Sequence, residues 1–243
     1  MLRSIYFWMV LIFSTVMAFA VAVLVLPFNR GGKAIHLIGR IWGRLNLATS
    51  GVKLETRGLE NIIKERPQVL MSNHQSIYDI FALSTLPLPV RWIAKKELFR
   101  IPALGWLMLM AGCVSIDRSS LRKALIGMDS AQAKINNGAS ILIFPEGTRS
   151  YDGVLQPFKK GGFVLALKTK APIVPITIIG SAKIMQRGTK KVHPGNIEMI
   201  IDEPIEPLNS EVKDKEGLIR RVREVISKNL SNAQLYSSTT SDA

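Results

Sequence analysis

Hydrophobic positions divide the chain into one long apolar run near the N-terminus and a larger region where short apolar runs alternate with amphipathic stretches. The long run, residues 5–28, contains no charged side chain. As a helix it would be about 36 Å long, enough to cross the hydrocarbon core of a bilayer. Tyr6 and Trp8 lie near one end of the run, where interfacial aromatic residues are common. The pattern predicts a membrane helix that either crosses the bilayer or enters one leaflet.

Two other interpretations of the apolar run stay open, a signal peptide and a buried core helix. Residues 18–20 read Ala-Phe-Ala, a pattern typical of a cleavage site, but the apolar run continues through Leu26. Basic residues follow the run at four nearby positions, Arg30, Lys33, Arg40 and Arg44. Because only Arg3 and the amino terminus precede it, the positive-inside rule predicts an inner (cytoplasmic) membrane protein with its active site on the cytoplasmic face.

The region after the run is predicted to form an α/β domain with a mixed, largely parallel central sheet flanked by helices. The predicted strands are Val52–Arg57, Val69–Ser72, 90–94, Val114–Ile116, 140–144, Ile173–Ile179 and 197–201. The predicted helices are a connecting helix at 33–50, then 77–86, 103–111, 120–136, 162–169 and 211–230. We therefore predict an anchor and connecting helix at residues 1–50, a catalytic domain at 51–230 and a flexible tail at 231–243.

Composition and charge narrow the classes of partner. The net charge is +14, and the segment 153–193 contains eight Lys or Arg and no acidic residue. Such a surplus favours an anionic partner, and anionic membrane lipids and a phosphorylated substrate fit best. Nucleic acid is not expected, because no nucleic-acid motif is present and aromatic residues make up only 7%. With one cysteine, Cys113, and three histidines, disulfides and a structural zinc site are not expected.

The first candidate motif, N-H-Q-S-I-Y-D at residues 73–79, follows a predicted buried strand and precedes a predicted helix. Open α/β sheets place their chemistry at such turns. A carboxylate from Asp79 on one imidazole nitrogen of His74 would fix the tautomer and leave the other nitrogen as a general base. The spacing alone equally allows a structural role, with His74 and Ser76 at the helix cap and Asp79 stabilising the helix N-terminus.

The second candidate motif, F-P-E-G-T-R-S at residues 144–150, also follows a predicted buried strand. Gly147 allows close approach of the backbone, and Arg149 offers two donors to an anionic oxygen pair. This composition suits a phosphate group, although a sharp turn with a surface arginine has the same composition.

The two motifs together resemble those of the glycerolipid acyltransferases, most closely the branch that acylates 1-acyl-sn-glycerol-3-phosphate. Two further blocks agree: G-C-V-S-I-D-R at residues 112–118 and I-V-P-I at residues 173–176. The resemblance covers roughly residues 52–204. It implies transfer of an acyl chain from acyl-CoA or acyl carrier protein to the sn-2 hydroxyl of lysophosphatidic acid, giving phosphatidic acid. It also implies a direct transfer that needs no metal or cofactor.

The resemblance also implies roles for individual residues. His74 would be the catalytic base and Asp79 its partner. Arg149, Gly147 and Thr148 would hold the acceptor phosphate, with Arg118 and Lys95 adding to the positive field. Glu146, grouped with these substrate-binding residues, would organise the loop by pairing with a neighbouring basic group. The nearest alternative is an acyltransferase for another lyso-lipid. A serine hydrolase is disfavoured because the chain lacks a G-x-S-x-G turn.

Overall fold

A seven-stranded sheet forms the centre of the computed structural model, which describes residues 1–28, 32–151, 153–207 and 215–239. Its strands are β1 (Val52–Arg57), β2 (Val69–Ser72), β3 (Val90–Lys95), β4 (Val114–Ile116), β5 (Ser140–Ile143), β6 (Ile173–Ile179) and β7 (Gly195–Ile201). Their order across the sheet is β1-β7-β6-β2-β5-β3-β4. Neighbouring strands are parallel except for β6 and β7, so the predicted mixed, largely parallel sheet is confirmed.

Two layers of helices cover the sheet. The helices are α1 (Leu2–Val25), α2 (Lys33–Thr49), α3 (Tyr78–Ser84), α4 (Leu104–Met110), α5 (Leu121–Asn136), α6 (Gly161–Thr169), α7 (Ser181–Ile184) and α8 (Lys215–Thr239). Residues of α1, α2, α3 and α7 share one hydrophobic cluster, and residues of α5, α6 and α8 share the other.

Strand residues alternate between these two clusters, as the pleat requires. In β2, Leu70 packs in the first cluster, whereas Val69 and Met71 pack in the second. In β5, Leu142 faces the first cluster and Ile141 the second. Central strands buried on both faces have no polar alternation, which is why their sequences read as continuous apolar runs.

The N-terminal apolar run is helical, as predicted, and one side of α1 packs against the domain. Phe7, Ser14 and Ala22 are buried, seven or eight residues apart on one face. Phe7 stacks on Tyr78 of α3 with ring centroids 5.5 Å apart. Near the far end, Phe19 contacts Trp106 of α4 at 5.1 Å. The helix is therefore attached to the domain along most of its length.

Most of the remaining surface of α1 is apolar and exposed. Within the described residues, Leu2–Phe28 is the one helical segment long and apolar enough to cross a membrane, and 17% of its most apolar window is buried. Exposed apolar side chains also occur on the neighbouring helices, including Leu37, Ile41 and Leu45 of α2 and Trp106 of α4. The fold thus presents a broad apolar surface on the side where α1 and α2 lie.

The structure corrects several predicted boundaries. Strand β5 ends at Ile143 rather than Phe144, because the chain turns at the following proline. The short helix α7 was not predicted. Helix α8 continues through Thr239, nine residues beyond the predicted end and into the predicted tail. The predicted helix start, at residue 211, and the last four residues of the predicted tail, 240–243, lie outside the described residues. The proposed division at residue 50 separates segments that share one core, since Phe7 and Leu47 pack in the same cluster as strand residues.

Candidate active site

The two motifs meet because of the strand order. Residues 73–79 follow β2 and residues 144–150 follow β5, and these two strands are parallel neighbours. Their carboxyl ends therefore lie at the same edge of the sheet. The first motif is also tied to β6, because the Asn73 side chain donates to the Ile178 carbonyl (2.8 Å) and accepts from the Ile178 amide (2.7 Å).

His74 and Asp79 form a direct pair. The imidazole Nδ1 lies 2.8 Å from Asp79 Oδ2. The same oxygen accepts hydrogen bonds from the backbone N–H groups of Gln75 (2.7 Å) and Ser76 (2.8 Å), and Asp79 is fully buried. A buried carboxylate held this way fixes the proton on Nδ1 and leaves Nε2 to accept one. Within the described residues, Nε2 has no hydrogen-bond partner, and the His74 side chain is 14% exposed.

Asp79 lies in the first turn of α3, and its carboxylate accepts the backbone N–H groups of Gln75 and Ser76 just before the helix, whose N-cap residue makes no side-chain cap bond. The Ser76 hydroxyl donates instead to the Met185 carbonyl at 2.7 Å, so the expected serine cap is wrong. This bond turns the hydroxyl toward the loop after α7. The sequence spacing left open whether Asp79 pairs with His74 or stabilises the start of the helix. In the structure, the same carboxylate pairs with His74 and lies in the first turn of α3.

The His74 ring stacks on Phe144, the first residue of the second motif. Their ring centroids are 3.8 Å apart and the planes differ by 11°. Trp92 of β3 lies behind Phe144, with centroids 6.1 Å apart. The aromatic ring covers one face of the imidazole and limits rotation, while the Asp79 bond sets its orientation.

Glu146 ties the two motifs together through the backbone. Its Oε1 accepts from the His74 N–H at 2.7 Å and its Oε2 accepts from the Gln156 N–H at 2.8 Å. Glu146 therefore organises the loop through backbone amides, not through a basic side chain as expected. Burial raises the pKa of the Glu146 carboxyl to about 7, and the two amide bonds oppose that effect. The Ser150 N–H adds a second link, donating to the His74 carbonyl at 2.9 Å.

Gly147 has a backbone conformation that disfavours any side chain. Its φ is +73°, and an added Cβ would lie 2.9 Å from Cε of Lys159. The Gly147 carbonyl accepts a hydrogen bond from Arg118, which brings the end of the 112–118 block to the loop. Burial lowers the pKa of Arg118, and Glu97 opposes the shift. Gly147 therefore lies between two cations, Arg118 and Lys159.

Asp117 precedes Arg118 and is held in place by its own hydrogen bonds. Its carboxylate accepts from Lys96 Nζ at 2.6 Å and from the Ser119 N–H at 2.9 Å. These hydrogen bonds hold the pKa of Asp117 below its usual range. Lys95, which was predicted to add to the positive field, directly precedes Lys96 and is exposed at the end of β3. Its side chain forms no hydrogen bond or ion pair with the part of the chain that the structure describes.

Arg149 is held by its backbone and keeps its side chain unpaired among the described residues. The Arg149 carbonyl accepts a hydrogen bond from Arg187, whose guanidinium lies 3.8 Å from the ring centroid of Tyr151. Thr148, beside it, is exposed. Sequence reasoning did not single out Arg187, because it follows Arg149 by 38 residues with no local signal beyond the basic character of its segment.

Other chemistry finds little support at this edge of the sheet. Burial raises the pKa of the Cys113 thiol, which disfavours a thiolate nucleophile. No group of three or more His, Cys, Asp or Glu side chains suited to a metal ion is present among the described residues. What the geometry provides is one oriented imidazole beside a glycine-containing loop flanked by cations.

An imidazole–carboxylate pair on a mixed α/β sheet, beside a cation-lined loop, is an arrangement suited to acyl transfer. Residues 53–179 match the family model described as Acyltransferase, and the chain belongs to this family.

Named relatives agree with the family model. The chain is 40% identical to the chloroplastic 1-acyl-sn-glycerol-3-phosphate acyltransferase BAT2 of Brassica napus, over 74% of this chain and 53% of that protein. It is 36% identical to the 1-acyl-sn-glycerol-3-phosphate acyltransferase of Pseudomonas aeruginosa, over 66% of this chain and 62% of that one. The chain thus spans about half the length of BAT2 and of the chloroplastic relative from Arabidopsis thaliana.

A solved structure extends the likeness to the whole fold. The crystal structure of the 1-acyl-sn-glycerophosphate (LPA) acyltransferase PlsC from Thermotoga maritima superposes with a TM-score of 0.86 at 26% identity. The match covers 96% of this chain and 95% of that chain, so it includes α1 and α2 as well as the sheet.

Proposed function

We propose that this protein transfers an acyl chain from an acyl thioester to the sn-2 hydroxyl of 1-acyl-sn-glycerol-3-phosphate, giving phosphatidic acid. The observation that carries the proposal is the His74–Asp79 pair, with a free Nε2, beside the loop of residues 144–150. Relatives named for this reaction, and the similarity to PlsC, support the choice of acceptor.

In this mechanism His74 Nε2 removes the proton of the acceptor hydroxyl as the oxygen attacks the thioester carbonyl. A new C–O bond forms, the C–S bond breaks, and the imidazolium returns its proton to the leaving thiolate. Asp79 stabilises the imidazolium, because its buried carboxylate faces Nδ1. General-base assistance of this kind contributes roughly 10²–10⁴-fold. Holding the two substrates together supplies further acceleration. The proposed reaction needs no metal or cofactor, since a thioester is already activated.

The acceptor phosphate would lie against the loop around Gly147. Arg149 in this loop offers a guanidinium that has no partner among the described residues, and Arg118 and Lys159 flank the same backbone. Thr148 adds an exposed hydroxyl, and Lys95 contributes at longer range. A lyso-lipid without a phosphate would leave these cations without a partner, which favours a phosphorylated acceptor.

The membrane arrangement is part of the proposal. Because α1 is attached to the domain from Phe7 to Phe19, crossing the bilayer would require α2 and α3 to follow it into the membrane. We therefore place the exposed apolar side of α1 and α2 in one leaflet, among anionic lipids, with the active site at the cytoplasmic face of the inner membrane. A lipid acceptor could then reach the site without leaving the bilayer.

A product assay on purified membranes tests the function. Lysophosphatidic acid, lysophosphatidylcholine and lysophosphatidylglycerol are each offered with acyl-CoA or acyl carrier protein, and labelled products are separated by mass. We expect phosphatidic acid as the main product. The preferred acyl donor is the one, acyl-CoA or acyl carrier protein, that gives the faster transfer. Preferential acylation of a lyso-lipid without a terminal phosphate would instead indicate the alternative acceptor class.

A further inference from the structure

A groove away from His74 lies between α2, the edge strand β1 and the end of α3. It encloses about 370 Å³, which is in the size range of small-molecule sites. Its floor and walls are mainly apolar and include Leu54, Leu86 and Met199. None of its lining residues belongs to the two motifs at the candidate active site.

Two arginines line this groove without an acidic partner. Arg40 and Arg44 lie one helical turn apart on α2, and the lining contains no Asp or Glu. Among the described residues, neither guanidinium forms an ion pair or a hydrogen bond. Two neighbouring cations without a partner from the described chain favour an anionic acceptor supplied from outside it.

The position of the groove indicates where that acceptor comes from. The helical period places Arg40 and Arg44 between the face of α2 that packs on α3 and the stripe formed by Leu37, Ile41 and Leu45. These three apolar residues are between 43% and 59% exposed, on the apolar side of the fold. The arginines thus lie at the border of the apolar surface, where a lipid headgroup would meet them.

We infer that the groove binds one anionic phospholipid, separate from the acyl acceptor. The headgroup phosphate pairs with Arg40 and Arg44, and one acyl chain covers the accessible apolar lining at Leu54, Leu59 and Pro87. Charge complementarity selects the headgroup, and the apolar walls select an attached chain over a free phosphate ion. The inference does not depend on the reaction at His74, because no residue is shared between the two sites.

Native mass spectrometry of the full chain tests this site. The protein is released from detergent in the presence of either phosphatidylglycerol or phosphatidylcholine, and retained lipid is counted. We expect one tightly retained phosphatidylglycerol and a weaker affinity for phosphatidylcholine. The double variant Arg40→Ala/Arg44→Ala should lose at least about tenfold in affinity for phosphatidylglycerol, because two charge-assisted hydrogen bonds disappear.

Two further variants distinguish a specific lipid-binding site from non-specific electrostatic attraction of anionic lipid. Lys33→Ala/Lys53→Ala also removes two positive charges from α2 and β1, at exposed positions outside the groove, and should retain the lipid. Ala48→Trp keeps both arginines but fills the groove, so it should lose the lipid. Equal losses in the two double variants, or full retention by Ala48→Trp, would overturn the inference, as would equal binding of both lipids by the unaltered protein.

Discussion

At the scale of single residues, three separate contacts position His74. Asp79 holds Nδ1, Phe144 covers the ring face, and Glu146 accepts the backbone N–H. Two of these partners belong to the motif after β5, so the orientation of the proposed base depends on the loop beside it. The same loop presents Arg149, which links the position of the base to that of the proposed phosphate.

Substitution of Arg149 tests the proposed phosphate contact. Arg149→Ala should lower kcat/KM for lysophosphatidic acid by roughly 10–100-fold, the worth of a charge-assisted pair. Arg149→Lys keeps the charge without the two-pronged donor geometry, so its loss should be intermediate. The measurement is acceptor KM and kcat at saturating donor. Arg122→Ala, which removes an exposed arginine from α5, is the control, and unchanged kcat/KM in both Arg149 variants would refute the contact.

Glu146 makes stability depend on pH in a defined direction. Its pKa is about 7 in the folded protein against an ordinary value of 4.5, so the folded state binds more protons between these values. The free energy of unfolding should therefore fall as pH rises from about 4.5 to 7, by about 2–3 kcal/mol from this group. Thermal unfolding in detergent across this range measures the decline.

The Glu146→Gln variant isolates that effect. Glutamine does not titrate, so the stability of the unaltered protein relative to the variant should fall by the same amount, about 2–3 kcal/mol, as pH rises from about 4.5 to 7. Glu224→Gln changes an exposed glutamate on α8 and should leave the pH profile as it is. A parallel pair of profiles for the unaltered protein and Glu146→Gln would contradict the assigned role of burial.

At the scale of elements, α1 is part of the core. Phe7 is fully buried and contacts Trp8, Tyr78 and Phe81 through its ring. Asn46 of α2 donates to the Ser14 hydroxyl, and the Val192 N–H donates to the Ser4 hydroxyl. An isolated membrane helix would not need these polar contacts with the domain. Helix α1 therefore contributes to stability as well as to membrane association.

The Phe7→Ala variant measures that contribution. Removing a fully buried phenylalanine should destabilise the protein by about 3–5 kcal/mol, from lost burial and the cavity left behind. Met9→Ala, at a position 58% exposed on the other side of α1, should change stability by less than about 0.5 kcal/mol. Both are compared by thermal unfolding in one detergent. Similar small effects for the two variants would show that α1 is only an anchor.

Much of the sheet was predictable because its central strands are buried on both faces. Strands β2 and β6 have continuous apolar sequences bounded by polar or turn residues, and their predicted ends agree with the structure. Phe144 was assigned to β5 because it continues the apolar run, although the chain has already turned. Helix α7 has four residues, too few for a periodic signal, and the end of α8 has a polar sequence without an apolar stripe.

The candidate site was predictable only in parts. The sequence spacing allowed a His74–Asp79 contact but did not require it, and the resemblance to a family supplied the rest. The meeting of the two motifs depends on β2 and β5 being neighbours, a pairing between residues 72 positions apart. The support of Arg149 by Arg187 is likewise non-local. Local patterns carry no information on such contacts.

At the scale of the whole molecule, the proposed orientation toward the membrane depends on the apolar side of α1 and α2. Phe13 is 68% exposed on that side. Phe13→Glu should weaken binding to vesicles by about 2 kcal/mol or more, because the lost burial of the ring adds to the cost of the charge. Leu125→Glu changes a residue 51% exposed on α5, across the sheet, and should bind as the unaltered protein does. Co-sedimentation with phosphatidylglycerol-containing vesicles distinguishes them, and equal losses would contradict this orientation.

The central claim is that His74 is the general base of a direct acyl transfer. The most direct test is transfer of a labelled acyl chain to lysophosphatidic acid by His74→Ala, normalised to folded, membrane-bound protein. We expect activity to fall by at least roughly 10²–10⁴-fold. Asp79→Asn should also lose much of the acyl-transfer activity. The double variant His74→Ala/Asp79→Asn should be little worse than His74→Ala, because the two residues act as one unit. Cys113→Ala should stay active. Substantial transfer by His74→Ala, or a trapped acyl group on Ser76 or Cys113, would contradict the mechanism.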